Sequence, residues 1–258
     1  MLTRHAVARA VKEVLYGSSG EPYRLPTGEK LRFVVGTRPV RMRFAEAQEN
    51  SARFDALQTL TMCSRLQPGS SAVDVGANVG STTLIMAARC GARGQVVAFE
   101  PEPSARRVLQ ENIALNPGVA AVVIEESACA DREGSATFFA RGGARSSLDG
   151  DSTDPAEHAV IVPLTTLDAY VARAKLSPNL IKIDVEGAEV HVLRGAQQLL
   201  SSDATILCEL HPFAWERNGV SFSDLLAALS RSRRRIRYLG ADHDLSGDPE
   251  YGIAELIR

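Results

Sequence analysis

Ala72-Val73-Asp74-Val75-Gly76-Ala77-Asn78-Val79-Gly80-Ser81 is the stretch on which the reading of this chain turns. Residues 72–76 form a short, nearly apolar run of strand type, and a helix begins near Ser81. Gly76 and Gly80 let the backbone between them turn tightly and lie close to a ligand, while the first turn of the helix offers unpaired N–H groups. Working outward, QVVAFE (95–100) reads as a strand and Pro103 to Leu115 as a helix stopped by Asn116-Pro117-Gly118. AAVVIEE (120–126) is a third strand. Apolar runs bounded by turns and separated by helices of about ten residues are what a parallel sheet covered on both faces requires.

The alternation breaks at SATFF (135–139) and HAVIVPL (158–164), two strand-like runs around a Gly/Ser/Asp-rich loop. It resumes with a helix from Leu167 to Ala174, the strand LIKID (180–184), a helix over Ala188 to Leu200, the strand TILCEL (205–210) and a helix from Phe222 to Arg231. The last strands, IRYLG (236–240) and GIAELI (252–257), are joined by so short a polar loop that they must be antiparallel neighbours. The expectation is an α/β fold, Rossmann-like and doubly wound, whose mostly parallel seven-stranded sheet carries an antiparallel C-terminal strand. Upstream, residues 2–16 have apolar positions at helical spacing, LRFVVG and VRMRF suggest a hairpin around Thr37-Arg38-Pro39, and a helix runs from about Ser51 to Leu66. The chain divides into an N-terminal extension, residues 1–50, and a main domain, residues 51–258.

With 258 residues, 45% hydrophobic and 23% charged, the chain can bury a substantial core, and disorder is excluded as a default. A formal net charge of -2 gives no global case for nucleic acid or for an anionic membrane. Cys63, Cys90, Cys129 and Cys208 are widely spaced, with no CxxC pair, and read as reduced thiols of a cytoplasmic protein. No run of about 18 apolar residues exists, and Arg4, Arg9, Lys12 and Glu13 interrupt what would have to be a signal region. Homo-oligomerisation is left open.

The loop suits a nucleoside-type cofactor. Asp74 and Glu100, the latter ending the next strand, are expected to face one crevice, where a carboxylate can hydrogen-bond both ribose hydroxyls. The GxGxxG spacing of pyrophosphate binders is absent, and a carboxylate before the loop would repel pyrophosphate but attract the amino group of a methionine moiety. The bland reading is a structural turn beside a surface Glu.

LIKIDVEGAEV (180–190) is the second signal. Lys182 and Asp184 share one face of an otherwise apolar strand, and Asp184 stands at its carboxyl end, where open α/β sheets bind ligands. Lys182 also reads as a buried salt bridge to Asp184 or Glu209, and Glu186 as a helix cap. In ILCELHP, Glu209 and His211 share a face, with His211 at the strand end beside that of Asp184. Asp184, Glu209 and His211 are therefore the candidate catalytic residues, with His211 suited to remove a hydroxyl proton near neutral pH. Such a trio can also hold a divalent cation, although no tight ligand spacing compels it and no metal ligand is assigned. Arg231 to Arg237 reads as a solvated edge rather than a nucleic-acid patch. Trp215 and Phe213 wall an acceptor pocket or pack the core, and Ser146 and Ser147, in the loop before Asp149, help close the site.

DVGANVG, AFEPEPSARRVLQENIALN, LTTLDAY, LIKIDVEGAEVHVLRGA and ILCELH, in this order between about Val73 and Leu239, resemble the FkbM-type methyltransferases. The resemblance implies the class I methyltransferase form of the fold and S-adenosylmethionine as cofactor. It implies that Asp74, Gly76, Ala77, Asn78, Gly80 and Ser81 surround the methionine part and Glu100 with Pro101 the ribose. Ser127 and Ala128 would flank the adenine, and Asp184 would reach the reactive end. The implied activity is O-methylation of a small-molecule metabolite or glycan hydroxyl. Two rivals stay open: a nicotinamide-dependent oxidoreductase, disfavoured by the missing GxGxxG and the final strand pair, and a non-catalytic cofactor-binding or interaction module, which would have lost the polar cluster.

Overall fold

The structure, a computed structural model, describes residues 12–37, 50–140 and 158–258. In chain order it contains β1 (Glu21–Arg24), β2 (Lys30–Phe33), α1 (Asn50–Arg65), β3 (Ser71–Val75), α2 (Ser81–Cys90), β4 (Gln95–Phe99), α3 (Pro103–Ala114) and β5 (Ala121–Glu125). Then come β6 (Ala128–Cys129), β7 (Gly134–Ala140), β8 (His158–Thr165), α4 (Leu167–Ala174), β9 (Leu180–Ile183), α5 (Glu189–Arg194) and α6 (Gln197–Leu200). The chain closes with β10 (Thr205–Leu210), α7 (Pro212–Trp215), α8 (Phe222–Ser230), β11 (Arg235–Tyr238) and β12 (Gly252–Ile257).

Seven strands form the main sheet in the order β11-β12-β10-β9-β3-β4-β5. Strands β5, β4, β3, β9 and β10 pair in parallel, and β12 runs antiparallel to both β10 and β11. Strand alternation sorts the core into two layers. Val73, Val75, Ile181, Ile183, Ile206 and Cys208 pack with α4, α5 and α8 on one face. Ala72, Val96, Leu180 and Leu207 pack with α1 and α2 on the other. Each fully buried aliphatic side chain in these layers stabilises the fold by about 1.5–3 kcal/mol. Covering both faces leaves the carboxyl ends of the strands as the open crevice.

Three local expectations change. The hairpin forms between β1 and β2, with Glu21 opposite Phe33 and Arg24 opposite Lys30, so LRF pairs with the preceding EPYR. VRMRF, with Arg38 and Pro39, lies outside the described residues, as do residues 1–11; residues 12–16 are helical. The helix expected over 188–200 breaks into α5 and α6 at Gly195-Ala196, because Gly195 is pressed against the carbonyl of Ala130 with no room for a Cβ. Strands β7 and β8 pair antiparallel in a small separate sheet with β6. The hairpin is sewn to α3: Asn116 Oδ1 accepts the Arg32 N–H at 2.8 Å and Asn112 Oδ1 accepts that of Val34 at 2.7 Å.

Candidate active site

Between β3 and α2 the backbone takes three left-handed residues, Gly76, Asn78 and Gly80, with φ of 78°, 50° and 88°. A Cβ on Gly76 would collide with the carbonyl oxygen of Asp184, and one on Gly80 with the Leu109 side chain. The glycines are therefore demanded by the protein's own packing, beyond any ligand. Ser81 donates to the Thr37 carbonyl at 2.8 Å, and Asn112 Nδ2 to that of Val79 at 2.8 Å, so the N-terminal segment and α3 brace the loop from outside.

Asp74 does not open onto the crevice as expected. Its side chain is fully buried, Oδ2 accepts the Thr82 and Thr83 hydroxyls at 2.9 and 2.6 Å, and Oδ1 lies 3.3 Å from the Lys182 ammonium. Oδ2 thus anchors the first turn of α2, while Oδ1 has no hydrogen-bond donor among the described residues. Glu100, nearly buried, accepts the backbone N–H of Asn78 at 2.6 Å and of Glu102 at 2.8 Å. Burial pushes its carboxyl up to about 7, against the two backbone bonds that favour the charged form. Among the described residues Asn78 Oδ1 is buried without a hydrogen-bond donor, an exception that calls for a partner. An acceptor in want of a donor fits the amino group of an amino-acid moiety, and the free lone pairs of Glu100 fit ribose hydroxyls, so the loop fits S-adenosylmethionine. Pro101 follows Glu100, Ala77 is buried within the loop, Ser127 is half-buried after β5, and Ala128 lies buried in β6.

Asp184, Glu209 and His211 do converge, because β9 and β10 pair in parallel and end together. Lys182 is buried and donates to the Gly76 carbonyl at 3.0 Å, with its ammonium 3.2 Å from Asp184. Burial alone would lower this lysine's pKa; the charges of Asp184, Asp74 and Glu209 reverse that and hold it above the usual value. His211 is 3% exposed, and its Nδ1 lies 2.9 Å from Oε1 of Glu189, which is fully buried. Its Nε2 lies 3.7 Å from Glu186 and 3.8 Å from Glu209. Burial would lower the imidazole pKa, but the bond and charge of Glu189, with Asp184 and Glu186, raise it to about 9. An imidazole of ordinary basicity is thus not what the fold supplies at this position. Glu186 is pushed up to about 7 by burial and by Asp184, and Glu209, also pushed up by burial and Asp184, accepts the Tyr251 hydroxyl at 2.5 Å.

Glu189 and Tyr251 escaped the sequence reading. Glu189 carried a signal: in EVHVL it shares a buried helical face with Val190, Val192 and Leu193, where a carboxylate is rarely placed without a partner. It accepts Gly187 N–H at 2.7 Å and Trp215 Nε1–H at 2.8 Å, so the backbone acceptor near the start of α5 is Glu189 and not the expected Glu186. Tyr251 arrives from the loop before β12 and has no local signal. Trp215 packs the core, whereas Phe213 is 68% exposed, its ring 5.7 Å from that of His211. Arg234 is buried and bonds the carbonyls of Leu200, Ser202, Ala204 and Leu256, Arg235 and Arg237 pair with Asp244 at the surface, and Arg231 and Arg233 are exposed. Ser146 and Ser147 lie outside the described residues.

Residues 74–238, which carry the loop, both strand ends and the whole polar cluster, match the Methyltransferase FkbM domain. The chain belongs to the FkbM methyltransferase family. Within it, the chain is 29% identical over 174 residues to the hexuronic acid methyltransferase AglP of Haloferax volcanii, covering 66% of each chain. It is 31% identical over 142 residues to methyltransferase 1 of Beauveria bassiana, covering 48% of this chain and 57% of that one. This FkbM chain thus spans just under two thirds of the archaeal relative's length and less of the fungal one. Among solved structures, a SAM-dependent O-methyltransferase from Thermotoga maritima superposes with a TM-score of 0.44 at 12% identity, covering 93% of this chain and 78% of that one. An rRNA methylase from Streptococcus thermophilus does so with a TM-score of 0.45 at 11% identity, covering 80% and 98%. Among the described residues no helix is long and apolar enough to cross a membrane.

Proposed function

We propose that this FkbM-family chain transfers the methyl group of S-adenosylmethionine to a hydroxyl of a sugar-bearing or other small-molecule acceptor. The observation that carries the reading is the abutment of two unlike half-sites at the carboxyl ends of adjacent strands. A loop with an orphaned acceptor, Asn78 Oδ1, and a strand-end carboxylate, Glu100, touches the Asp184, Glu209 and His211 cluster through the Gly76–Asp184 contact. S-adenosylmethionine supplies the electrophilic methyl. The loop holds the donor, and the cluster receives the acceptor hydroxyl: the O–C bond forms as the S–C bond breaks, and the hydroxyl proton passes to the cluster or to water. Alignment is the larger contribution, of roughly 7–11 kcal/mol, and proton removal adds about 100- to 10,000-fold in rate.

The name of the archaeal relative, a hexuronic acid methyltransferase, supports a sugar acceptor. The burial of Arg234 and the pairing of Arg235 and Arg237 with Asp244 reduce the free basic charge of that edge, which argues against nucleic acid, and four buried free cysteines agree with a reducing, cytoplasmic setting. Residues 32–37 are proposed as a brace: the Arg32 and Val34 N–H groups bond Asn116 and Asn112, and the Thr37 carbonyl receives Ser81 at the cofactor loop. Thermal unfolding with S-adenosylmethionine, S-adenosylhomocysteine and NAD tests the reading. Free ligand at about 100 times its Kd stabilises the native state by about 2.7 kcal/mol. A rise with the two S-adenosyl ligands alone is expected, and a rise with NAD alone would overturn the proposal. Labelled methyl transfer to neutral and uronate-bearing glycans then separates acceptor classes.

A further inference from the structure

Asp184, Glu186 and His211 each present one ligand-type atom, and these atoms lie within 4.8 Å of one another. His211 is buried and its Nδ1 is tied to Glu189, while among the described residues Nε2 finds no hydrogen-bond partner and points into the space between Glu186 and Glu209. A histidine whose one nitrogen is oriented by a carboxylate while the other faces open acidic side chains is the arrangement by which proteins aim an imidazole at a metal. Glu189 is itself fixed by Trp215 and by Gly187 N–H, so the supporting layer is complete inside the protein. A fully buried carboxylate is costly to keep. Holding a histidine in one orientation gives it a purpose that packing alone does not.

Lys182 does not complete this arrangement. Its ammonium is spent on the Gly76 carbonyl, Asp74 and one oxygen of Asp184, toward the cofactor loop. Glu209, which the spacing of residues groups with Asp184 and His211, is occupied by the Tyr251 hydroxyl. Glu186 makes no such bond among the described residues, and it is the third ligand-type group of the set.

We propose that Asp184, Glu186 and His211 hold a divalent cation of the magnesium or manganese class, which receives two neighbouring oxygens of the acceptor, such as a vicinal diol or a hydroxy-carboxylate. The two carboxylates suit such ions, the imidazole favours manganese over the harder magnesium, and three protein ligands leave coordination positions for the acceptor. The cation would draw charge from the hydroxyl oxygen and lower its pKa, so that the proton leaves to water as the O–C bond forms and the sulfonium becomes a neutral thioether. The inference rests on the methyl-transfer reading for its purpose, but the site itself is tested without turnover.

Full-length protein is titrated with manganese alone, with free ion followed by electron paramagnetic resonance and heat by calorimetry. One saturable ion per chain is expected. Asp184→Asn and Glu186→Gln should each weaken it at least about tenfold, and Glu189→Gln by roughly 10- to 100-fold as an outer-layer change. Glu209→Gln removes a neighbouring charge but no ligand, so it should weaken binding by less than Glu186→Gln does. S-adenosylhomocysteine affinity, measured on every variant, reports that the fold and the loop are intact. Saturable binding that Glu186→Gln leaves untouched, or no saturable binding in a protein that still binds S-adenosylhomocysteine, overturns the cation site and leaves the methyl-transfer reading standing. Failure to bind S-adenosylhomocysteine, with manganese still bound, overturns the latter instead.

Discussion

The loop over residues 74–80 and the cluster around His211 meet where Gly76 lies against the Asp184 carbonyl and where Lys182 bridges Gly76 and Asp74 to Asp184, yet they are built in opposite ways. The loop is a matter of backbone shape. Asp74 Oδ2 is held by the nearby Thr82 and Thr83, and Glu100 and Lys182 reach in from the two neighbouring strands. The cluster is a matter of charge. It gathers side chains from the ends of β9 and β10, from α5 and from the segment before β12, and leaves carboxylates crowded against an imidazole. The first half should fail through steric change and the second through change of charge or ligand type.

Gly76→Ala is the sharpest way to break this division, since it strikes a contact that joins the halves. The added carbon meets a backbone oxygen that has no freedom to move, at a left-handed φ of 78°. A loss of at least about 4 kcal/mol in stability is expected, with S-adenosylhomocysteine binding lost as well. Gly80→Ala meets only the end of the Leu109 side chain, and about 1–3 kcal/mol is expected there. Thermal unfolding of the two variants decides it: equal Tm values would mean that the Asp184 contact carries no special weight.

His211→Asn probes the other half. The asparagine amide can still donate toward Glu189, so the buried carboxylate keeps a partner, while the imidazole nitrogen facing Glu186 and Glu209 is removed. Turnover should fall about 100- to 10,000-fold with S-adenosylhomocysteine affinity retained. A variant within about threefold of wild type would remove His211 from the chemistry.

The two halves also differed in how far the sequence exposed them. A contiguous segment such as DVGANVG declares strand, turn and helix within ten residues, and the reversed final strand followed from the short link before Gly252. The cluster was only half legible. Asp184, Glu209 and His211 stand at strand ends whose adjacency follows from parallel pairing, but Glu189 sat in a stretch read as an ordinary helix. Tyr251 depends on where a loop folds back. The burial of Asp74 was not legible because its partners, Thr82 and Thr83, lie in the helix that follows and their hydroxyls turn inward. The pairing of LRF with EPYR was not read at all: Glu21 in that strand is buried and paired with Lys12 at 2.8 Å.

Glu100→Ala returns to the first half with a smaller effect, because it removes side-chain bonds without adding bulk. S-adenosylmethionine binding should weaken by about 1.5–3 kcal/mol if the carboxylate takes both ribose hydroxyls. Calorimetry checks this, and unchanged affinity would reduce Glu100 to a loop anchor for Asn78 and Glu102.

The smallest expected effect is one of pH, and it isolates a point at which the shape-built half depends on a titrating charge. Burial raises the Glu100 carboxyl from its ordinary 4.5 to about 7, so the folded protein without cofactor holds this proton more tightly than the unfolded chain does. The stability this group contributes is therefore fully present below the ordinary value and is lost as pH rises through about 7, at no more than about 1.4 kcal/mol per pH unit between the two. Cofactor binding runs the other way. An ionised carboxylate accepts both ribose hydroxyls, whereas a protonated one must first give up its proton, so affinity should climb by up to about tenfold per unit as pH approaches 7 and then level off. Glu100→Gln should flatten both curves at a lowered affinity, since the amide neither titrates nor accepts with both of its polar atoms. Unfolding and calorimetry across about pH 5 to pH 8 read the two curves together. If affinity proves flat in the wild type, or if the glutamine variant keeps the wild-type slope, the ribose contact belongs to another group and the loop is built by backbone shape alone.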